Sequence, residues 1–273
     1  MNQRERRQWL IRKLQAEMPE YRSPYTPFTD ERQWRLLRSP MNVRPPRPAS
    51  EEFLRVQDAF LREMTAEKGI VDAAALPASQ RDDRLVLWQG DITTLRCDAI
   101  VNAANSALLG CFSPCHGCID NIIHTMAGVQ LRLACHDLMR KQGNEEPTGQ
   151  AKITPGFNLP ARYVLHTVGP IIEDKVTAED ERLLASCYES CLRLTAQYDL
   201  ASVAFCCIST GVFRFPADRA AEIAVETVER FLRDKTSIQR VVMNVFKDSD
   251  REIYQGLLAF LYFGVVTIDG FFI

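Results

Sequence analysis

The sequence predicts a three-layer α/β/α sandwich with an N-terminal helical extension, in which helices cover both faces of a mixed, mostly parallel central sheet. From Arg84 onward, short apolar runs typical of buried strands alternate with segments of helical periodicity, and this alternation indicates such a sheet. The 273 residues, 46% of them hydrophobic, are enough to bury a sizeable core. We therefore expect a helical extension over residues 1–80 and the main domain over residues 81–273.

Hydrophobic periodicity places the individual elements. Strands are predicted at residues 85–88, 99–101, 151–154, 163–167, 203–208 and 241–245. Helices are predicted at residues 119–139, 179–198, 217–233 and 249–263. In the extension, Ser50 is a typical N-cap for the last of three helix-like pieces, over residues 51–68. We expect these helices to dock on the main domain, and a lid over a substrate cleft is the alternative that stays open.

Charge and hydropathy exclude several classes of protein. The net charge of −2 and the lack of an aromatic and basic stripe argue against nucleic-acid binding. The sequence has no run of 18 apolar residues, and residues 1–15 are charged and amphipathic, unlike a signal peptide. We therefore expect no membrane partner and a cytoplasmic location.

Nine cysteines in such a chain are better interpreted as reduced thiols than as a disulfide framework. Most of them lie in apolar strand or helix contexts and are expected to serve packing only, namely Cys97, Cys135, Cys187, Cys191, Cys206 and Cys207. His124 and His166 also lie in apolar contexts, where a hydrogen-bonded core histidine is the expected role.

The remaining cysteines cluster with a histidine in the loop that follows a buried strand. Thiolate and imidazole together suit zinc, and a catalytic zinc usually has three protein ligands and one open position. We predict one Zn²⁺ per chain, held by Cys111, His116 and Cys118. Ligation by Cys115 as well would close the site and make it structural, and coincidental or redox-active thiols are the other interpretation.

Polar and small residues follow three of the predicted strands, at the edge where α/β proteins place ligands. These loops are residues 90–93, 102–105 and 209–213. Asn102 and Asn105 flank two alanines, and Asp120 lies at the expected start of a helix, where a carboxylate is also favoured by the helix dipole alone. The loop over residues 209–213 has backbone N–H groups suited to a phosphate, although in isolation such a loop is more often a plain turn.

Five blocks, in this order and spacing, resemble the macrodomain family, whose members bind ADP-ribose or remove it: residues 88–93, 98–105, 149–154, 159–170 and 208–213. The resemblance covers roughly residues 84–265 and implies a macrodomain fold. Where most members have a glycine run, this chain has residues 111–118, which include the three predicted zinc ligands. That departure and the extension resemble the zinc-containing macrodomains of microbes, which are protein-ADP-ribose hydrolases.

The resemblance also implies residue roles. Asp91 would accept a hydrogen bond from the adenine amino group, Ile92 would offer its backbone N–H to the ring, and Phe246 would pack on it. The diphosphate and the distal ribose would be wrapped by Ser209, Thr210, Gly211, Val212 and Phe213. Asn105, which would also bind the ribose, and Asp120 would be the catalytic residues, beside a zinc that acts as a Lewis acid or activates water.

The function implied by the resemblance is a zinc-dependent hydrolase that removes mono-ADP-ribose from modified proteins. A non-catalytic reader of ADP-ribose and an O-acyl-ADP-ribose deacylase are the alternatives, since both use the same pocket. Family analogy adds a sirtuin-type ADP-ribosyltransferase and a lipoyl-carrier protein as expected partners.

Overall fold

The structure is a computed structural model and describes residues 1–22 and 29–259. Its helices, α1 to α8 in chain order, are Gln3–Glu17, Asp30–Val43, Glu51–Lys68, Ile119–Ala127, Val129–Gln142, Ala178–Gln197, Ala217–Leu232 and Asp248–Leu258. Its strands, β1 to β8, are Val71–Asp72, Leu85–Gln89, Leu95–Arg96, Ala99–Ala103, Ala151–Pro155, Tyr163–Thr167, Ser202–Phe205 and Arg240–Val245. None of the described helices is long and apolar enough to cross a membrane.

Six strands form the central sheet in the order β2-β8-β7-β4-β6-β5. All neighbours in it run parallel except the edge strand β5, which is antiparallel to β6. Helices cover both faces, and the core between the layers is built from aliphatic strand residues such as Ile100, Val164 and Val242. The predicted three-layer sandwich with a mixed sheet is therefore confirmed.

The parallel strands β2, β4, β7 and β8 bring their carboxyl ends to one edge of the sheet. Asp91 and Asn105 follow β2 and β4, and Phe246 follows β8 directly. Loops that are far apart in sequence thus meet at this edge, as expected for a ligand site in an α/β fold.

One predicted helix is interrupted in the structure. The helix predicted over residues 119–139 is two helices, α4 and α5, which are separated by Gly128 with a φ of +94°. The first N–H of α5, from Val129, is accepted by the side chain of Gln57 at 3.0 Å. Because Gln57 lies on α3, the extension caps a helix of the main domain, which local periodicity does not reveal.

Two further bounds differ from the predictions. The strand predicted over residues 203–208 ends at Phe205, because the chain turns there into the loop that lines the ligand edge. The last helix, α8, ends at Leu258, and residues 260–263 of its predicted span lie outside the described residues.

The extension docks on α4 and α5. Its helices share a separate hydrophobic cluster, which includes Leu14, Leu37 and Phe60 and extends to Val129 of α5. The guanidinium of Arg132, on α5, donates to the carbonyls of Met41 and Arg44 at 3.2 and 2.7 Å. The structure therefore shows the extension docked on the main domain.

Candidate active site

A cleft of about 910 Å³ lies at the carboxyl edge of the sheet, between the loops after β2, β4, β7 and β8 and the start of α4. Every residue predicted as catalytic, substrate-binding or metal-binding lines it: Asp91, Ile92, Asn105, Cys111, His116, Cys118, Asp120, Ser209, Thr210, Gly211, Val212, Phe213 and Phe246. The structure thus brings the whole predicted set together in one place.

One end of the cleft holds the predicted metal ligands. The donor atoms of Cys111, His116 and Cys118 all lie within 4.8 Å of one another, and Cys111 Sγ is 3.7 Å from His116 Nδ1. Tetrahedral zinc with ordinary bond lengths separates a sulfur and a nitrogen ligand by roughly 3.6 Å. The donor atoms of the three side chains are therefore spaced to hold one zinc ion, and all three residues line the cleft.

The Cys118 side chain also caps the N-terminus of helix α4. Its sulfur accepts a hydrogen bond from the N–H of Asn121 at 3.4 Å, so the side chain acts as the N-cap. Burial, with a smaller contribution from the neighbouring Cys111, raises the pKa of Cys118 to about 11, although the hydrogen bond from the Asn121 N–H acts in the opposite direction. A coordinating zinc ion opposes this effect because it deprotonates a thiol ligand outright.

Cys115 lies apart from the three-residue cluster. Its backbone adopts a left-handed φ of +55°. Its thiol donates to the carbonyl of Arg35 at 3.6 Å, and its N–H donates to Asn42 Oδ1 at 2.8 Å. The side chain is therefore directed to the extension, which favours the three-ligand interpretation over a closed four-ligand site.

Asp120 lies two residues after Cys118, in the first turn of α4, and is only 5% exposed. Its Oδ1 accepts a hydrogen bond from Asn102 Nδ2 at 2.8 Å, and its Oδ2 lies 3.5 Å from Asn105 Nδ2. Burial raises the pKa of Asp120 to about 6, although Asn102 and the charge of Arg132 act in the opposite direction. At neutral pH the carboxylate is ionised and can accept a proton.

Asn105 is oriented by the loop that it begins. Its Nδ2 also donates to the carbonyl of Gly110 at 3.2 Å, while its buried Oδ1 has no hydrogen-bond partner among the described residues. Asn105 lines the cleft, and an amide oxygen without a protein partner suits a ribose hydroxyl.

A second group of histidine and cysteine lies beneath the cleft. His124, Cys135 and His166 are all buried, with donor atoms within 4.8 Å of one another. His166 Nδ1 accepts from Asn102 at 3.2 Å, so Nε2 carries the proton and donates to Thr154 Oγ1 at 2.9 Å. Burial lowers the pKa of His166 to about 3, and it is a hydrogen-bonded core histidine, as predicted.

The other histidine of this buried group is not satisfied in the same way. Neither ring nitrogen of His124 has a hydrogen-bond partner within the described part of the chain, although Nε2 lies 3.5 Å from Asp120 Oδ1. Burial lowers the pKa of His124 well below its usual range, so the ring is neutral. The prediction of a core position holds for His124, while that of a hydrogen-bonded side chain does not.

The far end of the cleft contains the predicted adenine-binding residues. Asp91 Oδ1 accepts from Thr93 Oγ1 at 2.6 Å, and its Oδ2 pairs with Lys68 Nζ at 3.1 Å. Burial raises the pKa of Asp91, but the Thr93 hydrogen bonds and the Lys68 charge outweigh it and hold the pKa below the usual range. Phe246 is 77% exposed beside them, which leaves its ring face open to a base.

The loop after β7 offers unpaired backbone donors. The N–H groups of Gly211, Val212 and Phe213 make no hydrogen bond within the described residues, and Val212 is 69% exposed. Ser209 adopts a left-handed φ of +65°, and its buried Oγ has no hydrogen-bond partner in the described part of the chain. Free donors on a turned backbone are suited to a diphosphate.

Sequence reasoning missed two residues at the rim of this site. Lys68, the last residue of α3, reaches Asp91, and Arg38 of α2 reaches the cysteine loop. Both belong to the extension, and their partners are 23 and 78 residues away. No local pattern marks such contacts, because they depend on how the extension docks.

The fold and the site define a class of protein, the ADP-ribose-binding macrodomains. The sequence profile of the Macro domain family matches residues 101–224. Two relatives bear the name Protein-ADP-ribose hydrolase. The relative from Treponema medium is 55% identical, and the match covers 95% of this chain and the full length of the relative. The relative from Staphylococcus aureus is 51% identical, and the match covers 92% of this chain and 94% of the relative. The chain belongs to the macrodomain family.

Solved structures show the same similarity. The Oceanobacillus iheyensis macrodomain with ADP is 39% identical, with a TM-score of 0.59 over 66% of this chain and 94% of that one. The Trypanosoma brucei macrodomain in complex with ADP-ribose is 28% identical, with a TM-score of 0.64 over 81% of this chain and 95% of that one.

Proposed function

We propose that this chain is a hydrolase that removes mono-ADP-ribose from modified proteins, with one Zn²⁺ held by Cys111, His116 and Cys118. The observation that carries the proposal is that these ligands and the buried carboxylate of Asp120 meet at one end of a single cleft. Relatives that are 50–55% identical over more than nine-tenths of the chain bear the name of this activity, which supports the enzyme class.

The cleft accommodates ADP-ribose in one direction. Asp91 keeps an ionised carboxylate for the adenine amino group, beside the backbone of Ile92 and the open ring of Phe246. The free amides of residues 211–213 then receive the diphosphate. This order leaves the distal ribose at the end where Asn105, Asp120 and the metal ligands lie, so the bond to the protein faces the reactive groups.

Asp120 and Asn105 are the proposed catalytic residues. Asn102 holds one oxygen of Asp120, so the other oxygen is left for Asn105 and for a proton from a ribose hydroxyl or an attacking water. Asn105 positions the ribose through its free Oδ1. When bound, a zinc ion would supply Lewis-acid polarisation or lower the pKa of a coordinated water.

The substrate and setting follow from the same interpretation. Mono-ADP-ribosylated protein is the proposed substrate, with an ester to a carboxylate side chain the more labile of the possible linkages. A sirtuin-type ADP-ribosyltransferase and a lipoyl-carrier protein stay proposed partners, and the cytoplasm stays the proposed location, on family analogy.

The test is release of free ADP-ribose from a mono-ADP-ribosylated protein by zinc-loaded chain and by chain stripped of metal and checked by circular dichroism to be folded. Turnover by the loaded form alone is the expected result. Turnover by both forms would make the zinc structural and leave Asn105 and Asp120 as the reactive groups. Binding of ADP-ribose without release from protein would replace the proposal with a reader or an O-acyl-ADP-ribose deacylase, and an assay on O-acetyl-ADP-ribose separates those two.

A further inference from the structure

Helix α2 of the extension holds the loop that carries the proposed metal ligands. Arg38 Nη2 donates to the carbonyl of His116 at 2.6 Å, and its second N–H donates to Asn121 Oδ1, also at 2.6 Å. Asn42, one turn later on α2, accepts the N–H of Cys115 at 2.8 Å. The extension therefore fixes two consecutive residues of the loop through their backbone.

Asn121 connects Arg38 to the other end of the loop. Its side chain is fully buried, and its Nδ2 donates to the carbonyls of Cys111 and Ser113 at 3.2 and 2.9 Å. A charged donor on Oδ1 fixes which side of the amide is oxygen, so Arg38 directs Nδ2 to the loop. Each of the three ligands is thus bonded to Arg38 or to its partner Asn121, since the sulfur of Cys118 accepts the Asn121 N–H.

Other contacts also dock the extension on the main domain. The hydrophobic cluster that reaches Val129, the cap from Gln57 and the two hydrogen bonds from Arg132 lie on the α5 side of the interface. Arg38 and Asn42 add contacts to the ligand loop itself. A loop with exposed residues, such as Phe112 and Gly117, gains a defined shape from them.

We infer that Arg38 and Asn42 are positioning residues through which the N-terminal extension preorganises the loop over residues 111–118 for its metal ion. Through these two residues the extension acts on metal affinity and not on the binding of the ADP-ribose body. This inference rests on the metal site of the proposed function. Groups that orient metal ligands from outside typically change metal affinity by about 10- to 100-fold when they are replaced.

The first experiment replaces Arg38 in the full-length chain. Zinc affinity is measured by competition with a chromophoric chelator, and the Co²⁺-substituted protein is followed by its visible absorption spectrum. We expect R38A to bind zinc about 10- to 100-fold more weakly and to show an altered Co²⁺ spectrum, with R38K recovering part of both. ADP-ribose affinity of the metal-free protein stays unchanged, and R32A, an exposed arginine of the same helix, matches wild type. Wild-type zinc affinity and spectrum in R38A would overturn the inference.

A second pair of variants covers the case that R38A does not fold. Asn42 Nδ2 donates to Thr125 Oγ1 at 2.9 Å, so N42A and T125V both lose that bond. T125V also loses the bond from the Thr125 hydroxyl to the carbonyl of Asn121 at 2.6 Å, but only N42A releases the N–H of Cys115. We expect N42A to weaken zinc binding and T125V to retain it. Equal zinc affinities of the two variants would overturn this inference and leave the proposed function intact. Wild-type chain that releases ADP-ribose yet binds no zinc would remove the metal site, and this inference with it.

Discussion

Two clusters of histidine and cysteine lie within one small region, and they differ in their surroundings. Cys111, His116 and Cys118 line the cleft, and the hydrogen-bond partner of the His116 ring among the described residues is Cys111 Sγ. His124, Cys135 and His166 are buried, and His166 uses both ring nitrogens on Asn102 and Thr154. Donor atoms alone therefore do not make a metal site, since the ligands must also be free and accessible to the ion.

Burial acts on a thiol in each cluster, since it raises the pKa of Cys118 to about 11 and also raises that of Cys135 above its usual range. It lowers the pKa of His124 and His166, so the buried group holds neutral rings. A thiol is a metal ligand only once deprotonated, so either cluster would have to lose a proton to bind an ion. The difference that supports the proposed metal at the cleft cluster is therefore access, because its three residues line the cleft while the other three are buried.

The largest expected effect comes from removing one cysteine from each cluster. Cys118→Ala should lose the zinc ion and the release of ADP-ribose together, because two ligands hold the metal far more weakly than three. Cys135→Ala should keep one zinc per chain and most of the activity. Metal content by atomic absorption and turnover on a modified protein are the measurements, and full activity in Cys118→Ala would end the metal role.

Asp120 lies between the two clusters, 3.5 Å from His124 Nε2 and two residues after Cys118. Asp120→Asn should reduce kcat by about 10²- to 10⁴-fold, the usual contribution of a general base, while zinc content stays at one per chain. Asp137→Asn, half-exposed on α5, is the matched control and should behave as wild type. A loss of zinc in Asp120→Asn would instead make the carboxylate a part of the metal site.

A smaller effect is expected when one histidine of each cluster is replaced by glutamine, because the two variants should differ in zinc binding and in stability. His116→Gln should abolish zinc binding and leave the stability of the metal-free chain nearly unchanged. His166→Gln should retain zinc and lower the free energy of unfolding by about 1–3 kcal/mol, because Asn102 or Thr154 is left without its buried partner. Chemical denaturation of both metal-free proteins at neutral pH measures the difference, and equal stabilities would contradict the assigned roles.

Much of the fold and of the site could be predicted because its signals are local. Strand-to-loop segments such as residues 98–105 and 208–213 carry their pattern in a few consecutive residues, and parallel strands necessarily bring their loops to one edge. Three contacts were not predictable, because each joins the extension to a residue far away in the sequence. They are the Gln57 cap on the helix that begins after Gly128, the Lys68–Asp91 pair and the hydrogen bonds of Arg38. The domain boundary at residue 80 and the individual site roles stay predictions.

A pH dependence of stability also belongs to the buried cluster. The pKa of His166 is about 3 in the folded chain and near 6.5 when unfolded, so below pH 6.5 the unfolded state binds a proton that the folded state does not. Stability is therefore unaffected above pH 6.5 and falls as the pH decreases, by about 1.4 kcal/mol per pH unit for this residue. Asp120, whose pKa is raised, works in the opposite direction between pH 6 and 4, equally in wild type and His166→Gln. The difference in slope between these two metal-free proteins from pH 6.5 to 4 should therefore be one proton, and parallel curves would show that His166 is protonated in the fold.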